Sequence, residues 1–136
     1  KIWNMRRFLL MMREKVGINV PTNQQTKVSS GAKGDTEILN KLNETIKSID
    51  ELLEKFRFSE VADTIYEFMW HTVADVYIEK VKNREDKEVA LSVLRHVLLT
   101  GLKLLHPFMP FVTEAIWKEI SPDGGMLIVA EWPQVK

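Results

Sequence analysis

His106-Pro-Phe-Met-Pro-Phe-Val-Thr-Glu-Ala-Ile-Trp117 sets a pair of prolines, three residues apart, between two helical patterns. A proline disfavours the α conformation in the residue before it, so Pro107 and Pro110 push His106 and Met109 towards extended backbone. A helix carried by Leu98, Leu99, Leu102 and Leu105 therefore has to stop near His106. Pro110 suits the first turn of a new helix, where its missing N–H costs nothing. Phe111, Val112, Ala115, Ile116 and Ile120 give that helix an apolar face, with Glu114 near its positive end. The stretch reads as a rigid elbow between two packed helices.

The same periodicity extends in both directions. Ile2, Met5, Leu9, Met12 and Val16 recur at alternating three- and four-residue spacing, the seam of an amphipathic helix. No capping residue precedes it, which reads as a chain cut from something longer, and Gly17 and Pro21 end it. Residues 17–34 are polar and rich in Gly, Ser, Asn and Gln, and read as an exposed loop. Asp35 is the expected N-cap of a second helix whose inner face is Ile38, Leu42, Ile46, Ile49, Leu53 and Phe56. Ser59 is positioned to cap a third through Val61, Ile65, Met69, Val73 and Val76. Asn83 or Asp86 then caps a fourth from about Lys87 to Leu105. Residues 121–136 hold a Pro-Asp-Gly-Gly turn and a segment, Met126–Trp132, with the character of a strand. One strand makes no sheet, so that segment is expected to lie along the bundle as an extended tail. The pattern predicts a single all-α domain over residues 1–136, an antiparallel bundle of about five helices.

Composition narrows the function. Cysteine is absent, which removes disulfides and thiolate metal sites. No apolar run has the length of a membrane span, and the default location is the cytoplasm. The net charge is zero but unevenly spread: residues 1–34 hold seven basic side chains against one acidic, and residues 35–136 twelve basic against eighteen acidic. A basic end on an otherwise acidic protein suits a polyanionic partner.

Lys1, Asn4 and Arg7 share one helix face, and together supply a charge for phosphate, an amide for a base edge and a planar donor fork. Trp3 and Phe8 alongside read as core aromatics. Glu67, His71, Asp75 and Glu79 form a row at four-residue spacing, read as a solvated polar face and not as a metal site, since metal ligands usually converge from more than one element. His96 and His106 read as structural, and no histidine is paired with a nucleophile, so no catalytic residue is assigned.

Three blocks carry a family resemblance that covers about residues 1–133. The elbow, as quoted, resembles H-P-F-M-P-F-[IV]-T-E-x-[IL]-W. Lys1-Ile-Trp-Asn-Met-Arg-Arg-Phe8 resembles K-[IL]-W-N-x-x-R-F. Tyr66 to Lys82 resembles Y-x-F-[IM]-W-N-x-[FV]-C-D-W-Y-[IL]-E-x-x-K, with His71 where Asn is usual and Val76 where Trp is usual. These are signatures of the helical anticodon-binding domain of class I aminoacyl-tRNA synthetases, most like the valine enzymes, with the isoleucine and leucine enzymes next. The resemblance implies a module that holds the anticodon stem-loop of a tRNA, the valine tRNA above all. A catalytic domain of the same polypeptide would use ATP to aminoacylate it. The H-I-G-H and K-M-S-K-S type ATP signatures do not occur in this chain, so neither cofactor nor metal is expected in it. For the tRNA contacts the resemblance points to Arg7 and Asn4, with Lys1 and Arg6 on phosphates and Asn23 to Lys27 adding contacts from the loop. The competing classes are a helical scaffold that docks another protein and a carboxylate-rich metalloenzyme bundle.

Overall fold

A computed structural model describes residues 1–17 and 33–135. Helix α1 spans Ile2–Val16, α2 Lys33–Glu54 and α3 Phe58–Tyr66. From α3 the backbone continues unbroken through a π-helical stretch, Glu67–Tyr77, into α4, Ile78–Lys82, so the three form one rod. Helix α5 is Lys87–Leu105 and α6 is Pro110–Ile120, and a single 3₁₀ turn, Leu127–Val129, follows. Counting the rod once, this is the five-helix all-α bundle that the periodicity predicts. Among the described residues there is no strand, and no helix is long and apolar enough to cross a membrane.

The core forms where the apolar seams meet. Ile2, Met5, Leu9 and Met12 of α1 face α5 and α6, while Ile38, Leu42, Ile46 and Ile49 of α2 face the rod and α5. Helix α5 is central, with eleven buried residues, because it is packed from three sides. Gly101 on α5 permits a close approach: a Cβ there would collide with the side chain of Met69, itself fully buried on the π stretch.

Several local expectations give way to tertiary structure. Asp35 is not a cap: α2 begins two residues earlier, and Asp35 is 0% exposed. Its carboxylate accepts a bidentate pair from Arg84, at 2.9 Å for Nη2 to Oδ2, and a 2.7 Å hydrogen bond from the Tyr77 hydroxyl. Burial, reinforced by that carboxylate, pushes the Tyr77 hydroxyl well above the ordinary tyrosine range. Asp86 uses its side chain on Arg84 and makes no capping bond, and the Arg84 guanidinium holds its carboxyl below the usual range. Ser59 lies inside α3, which begins at Phe58.

Phe56 leaves the core altogether, 77% exposed with φ 55°. The Phe56 N–H bonds Leu53 O and the Arg57 N–H bonds Leu52 O, which makes Phe56 the left-handed residue that closes a helix, a place usually given to glycine. Val76 is 50% exposed, whereas Tyr77 is buried. The π winding holds more residues per turn than an α-helix, so the position after Val73 that turns inward is the fourth and not the third.

The elbow also differs from expectation. His106 keeps helical angles ahead of Pro107, and the Phe108 and Met109 N–H groups still reach Leu105 O. The chain leaves the helix at Met109, before Pro110. Phe111 is 91% exposed because α6 is rotated to bury Thr113, Ile116 and Trp117 instead. That rotation has visible anchors. Thr113 Oγ1 donates to Met109 O at 2.8 Å, which leaves His106 Nδ1 as the donor in its 2.9 Å bond to Thr113. Trp117 Nε1 donates to Gly125 O. The tail lies along the bundle as expected, although not as a strand: Glu114 accepts the Leu127 N–H and Asp50 accepts the Trp132 indole N–H.

Candidate nucleic-acid interface

Because the buried seam of α1 faces α5 and α6, its opposite side is left to form a wall against the rod. The result is a groove of about 500 Å³ between α1 and the segment from Ala74 to Lys82. Lys1, Asn4 and Arg7 all line it, as their three-residue spacing predicts. Met5, Phe8, Met11, Ala74 and Ile78 make its apolar surfaces, and Asp75, Glu79 and Lys82 face α1 from the rod.

Arg6 does not join them. One residue along, it points to the other side of α1, pairs with Glu119 of α6 and stacks its guanidinium 5.5 Å from the Trp3 ring centre. Trp3 is 47% exposed and is not the core residue the pattern suggests. Phe8 is half-buried, at the edge of the groove. Asn23 and Lys27 lie outside the described residues.

Charge in the groove is largely matched internally. Lys1 Nζ sits 2.7 Å from Asp75 Oδ1 and donates weakly to the Trp70 carbonyl at 3.4 Å. The hydrogen bond from Lys1 holds the Asp75 carboxyl below the usual carboxylate range. Lys82 bonds Glu79 at 2.5 Å, and its ammonium is 6.0 Å from the Phe8 ring centre. Arg7 has no partner among the described residues. The row at Glu67, His71, Asp75 and Glu79 therefore works as a chain of ion pairs and polar contacts, His71 being 3.3 Å from Asp75 and 3.8 Å from Glu67. Among the described residues no three His, Cys, Asp or Glu side chains are placed to hold a metal ion.

The residues missed from the sequence are Glu79 and Lys82 as groove walls. The row containing Glu79 is visible as a pattern, but that α1 packs across it is not. With Phe8 and two methionines beside polar edges, the groove suits binding of a flat, polar-edged ring.

Comparison with known proteins decides the family. The profile described as anticodon-binding domain of tRNA ligase matches residues 35–136. This chain belongs to that family. It is 42% identical, over its whole length, to a valine–tRNA ligase of Fervidobacterium nodosum. It is 41% identical over 99% of its length to that of Staphylococcus saprophyticus, and 42% identical over all of it to that of Geobacillus kaustophilus. In each case it spans 16% of the relative's length. The family profile begins at Asp35, so the α1 wall of the groove in this anticodon-binding domain is aligned by the relatives alone.

Proposed function

We propose that this domain binds the anticodon stem-loop of valine tRNA and serves a valine–tRNA ligase, in which a separate catalytic domain of the same polypeptide uses ATP to aminoacylate the tRNA. In this reading the domain itself needs no cofactor and works in the cytoplasm. One observation carries it: Lys1, Asn4 and Arg7 converge on a groove with Phe8, and Arg7 keeps its guanidinium free of partners among the described residues. An unstacked loop base fits such a site, stacking on the aromatic edge while the guanidinium and amide meet polar edges or phosphate. The basic N-terminal segment gives the RNA a place to approach, and the acidic remainder turns it away from other faces. Valine is favoured over isoleucine and leucine because the relatives named above are valine–tRNA ligases.

Titration of the domain with stem-loops of valine, isoleucine and leucine tRNAs, at two salt concentrations, tests this. The valine loop is expected to bind best, with affinity falling steeply as salt rises. Arg7→Ala should cost about 1–3 kcal/mol, while Lys27→Ala should weaken all loops alike and lower the salt slope. No binding of any loop even at low salt would instead indicate a helical protein-docking scaffold.

A further inference from the structure

The elbow and the 3₁₀ turn carry apolar surface that the bundle does not cover. Phe108, Met109 and Phe111 are exposed around the start of α6, and Ile128 and Val129 on the turn. Two hydrogen bonds bring these groups together. Trp117 Nε1 donates to Gly125 O at 3.2 Å, and the Leu127 N–H to Glu114 at 3.0 Å, so the tail runs back along α6 towards its first residues. Phe111 stands one turn before Glu114, and Ile128 and Val129 follow Leu127. The Val129 and Ala130 N–H groups close the turn on Met126 O and Leu127 O, with Leu127 buried and the next two side chains turned outward.

These five side chains expose on the order of 500 Å² of apolar surface, the size at which a patch marks an interaction site. RNA is the wrong partner for it. Residues 104–135 hold one lysine, Lys118, against four carboxylates, so phosphates are repelled from this end. A second copy also fits poorly. With an equal area on the partner the contact buries about 1,000 Å², inside the range of about 600–1,500 Å² for domains of one chain and below the roughly 2,000 Å² of obligate homodimers. A tethered neighbour needs less area, because its effective concentration is high. Such neighbours exist in the matched valine–tRNA ligases, of whose length this chain spans 16%.

We infer that the patch of Phe108, Met109, Phe111, Ile128 and Val129 is the seat on which the catalytic domain of the same polypeptide docks through an apolar face. Docking here presupposes the ligase reading above and adds the surface that joins its two domains. Since α6 takes Arg6 on the side of α1 away from the groove, a domain seated there leaves the groove open to a stem-loop. It also fixes the distance between the anticodon loop and the reacting end of the tRNA. Loss of the contact therefore harms tRNA charging and spares reactions that need no tRNA.

The test uses the whole ligase with Phe111 replaced by p-benzoylphenylalanine, a photo-cross-linker of similar shape. Irradiation followed by peptide mass spectrometry should join this position to the catalytic domain of the same molecule. Cross-links that stay within residues 1–136, or that reach only some other segment, overturn the assignment. Cross-links between two molecules give the patch to a second copy and overturn it too. In the whole ligase, Phe111→Asp and Ile128→Asp should each leave valine-dependent ATP–pyrophosphate exchange unchanged and lower kcat/KM for tRNA charging about tenfold. Both side chains are exposed, so neither change should alter the melting of residues 1–136 alone. Full charging by both variants overturns the docking. A wild-type ligase that activates no valine refutes the ligase reading instead, and the cross-links still decide what covers the patch.

Discussion

Replacing Asp35 with alanine should be among the most damaging single changes in this domain. Asp35 is fully buried, holds both terminal nitrogens of Arg84 and accepts the Tyr77 hydroxyl, so it ties the start of α2 to the end of the rod. Removing it leaves a largely buried guanidinium short of one carboxylate and a buried hydroxyl without its acceptor. Breaking such a pair costs about 3–5 kcal/mol. Arg84 keeps Asp86 as a second partner, which places the loss at the lower end, about 3 kcal/mol, and the stranded hydroxyl adds about 1 kcal/mol. Against a total stability of about 5–15 kcal/mol, this is a large fraction. The melting temperature should fall by roughly 10–15 °C. Urea titration and thermal melts followed by far-UV circular dichroism read it directly. Tyr77→Phe, which removes only the neutral donor, should lose about 1 kcal/mol. An Asp35→Ala variant within about 1 kcal/mol of wild type would refute the argument and mean that water or Asp86 can substitute for the buried carboxylate.

Three further outcomes follow from the packing. Phe56→Gly should stabilise the domain by about 1 kcal/mol, because it relieves a left-handed backbone at an exposed side chain; a lower urea midpoint would contradict this. Gly101→Ala should destabilise by about 1–3 kcal/mol despite alanine's better helix propensity, since the new methyl meets Met69 Cε at 2.7 Å in a filled core; an unchanged melt would show that Met69 has room to move. Asp75 and Asp86 both have carboxyls depressed by cationic partners. A lowered folded pKa gives stability that is complete above the unfolded value, near 3.8, and is lost as pH falls through the folded value. Stability from these two groups should therefore be flat above about pH 5 and decline only in the acid range below it, with Asp75→Asn flattening part of that decline.

The helices themselves were legible because each writes its own buried seam. Ile2, Met5, Leu9 and Met12 are buried as their spacing requires, and so are Ile38, Leu42, Ile46 and Ile49. What local pattern could not supply was the partner across the bundle. Asp35 looks like a cap until Arg84 arrives from 49 residues away, and the capping preference loses to a buried bidentate pair. Phe56, Val76 and Phe111 continue apolar patterns on paper, but each sits where a helix ends, changes winding or rotates about its axis. For the groove, α1 could be read in advance as far as Lys1, Asn4 and Arg7, whereas the sorting of Arg6 onto Glu119 depended on where α6 lies. Glu79 belonged to a visible row, yet only the packing of α1 gives that row something to face.

The π winding from Glu67 to Tyr77 works as an angular offset between the two halves of one rod. Wound as an ordinary α-helix, the same residues would turn Ile78–Lys82 to a different azimuth about the rod axis relative to Phe58–Tyr66. Glu79 and Lys82 would then face a new direction, with no side chain altered. The composition of the groove wall is thus encoded in pitch as well as in sequence, so a relative that lengthened or shortened this segment by one residue could keep every polar group and still aim them elsewhere.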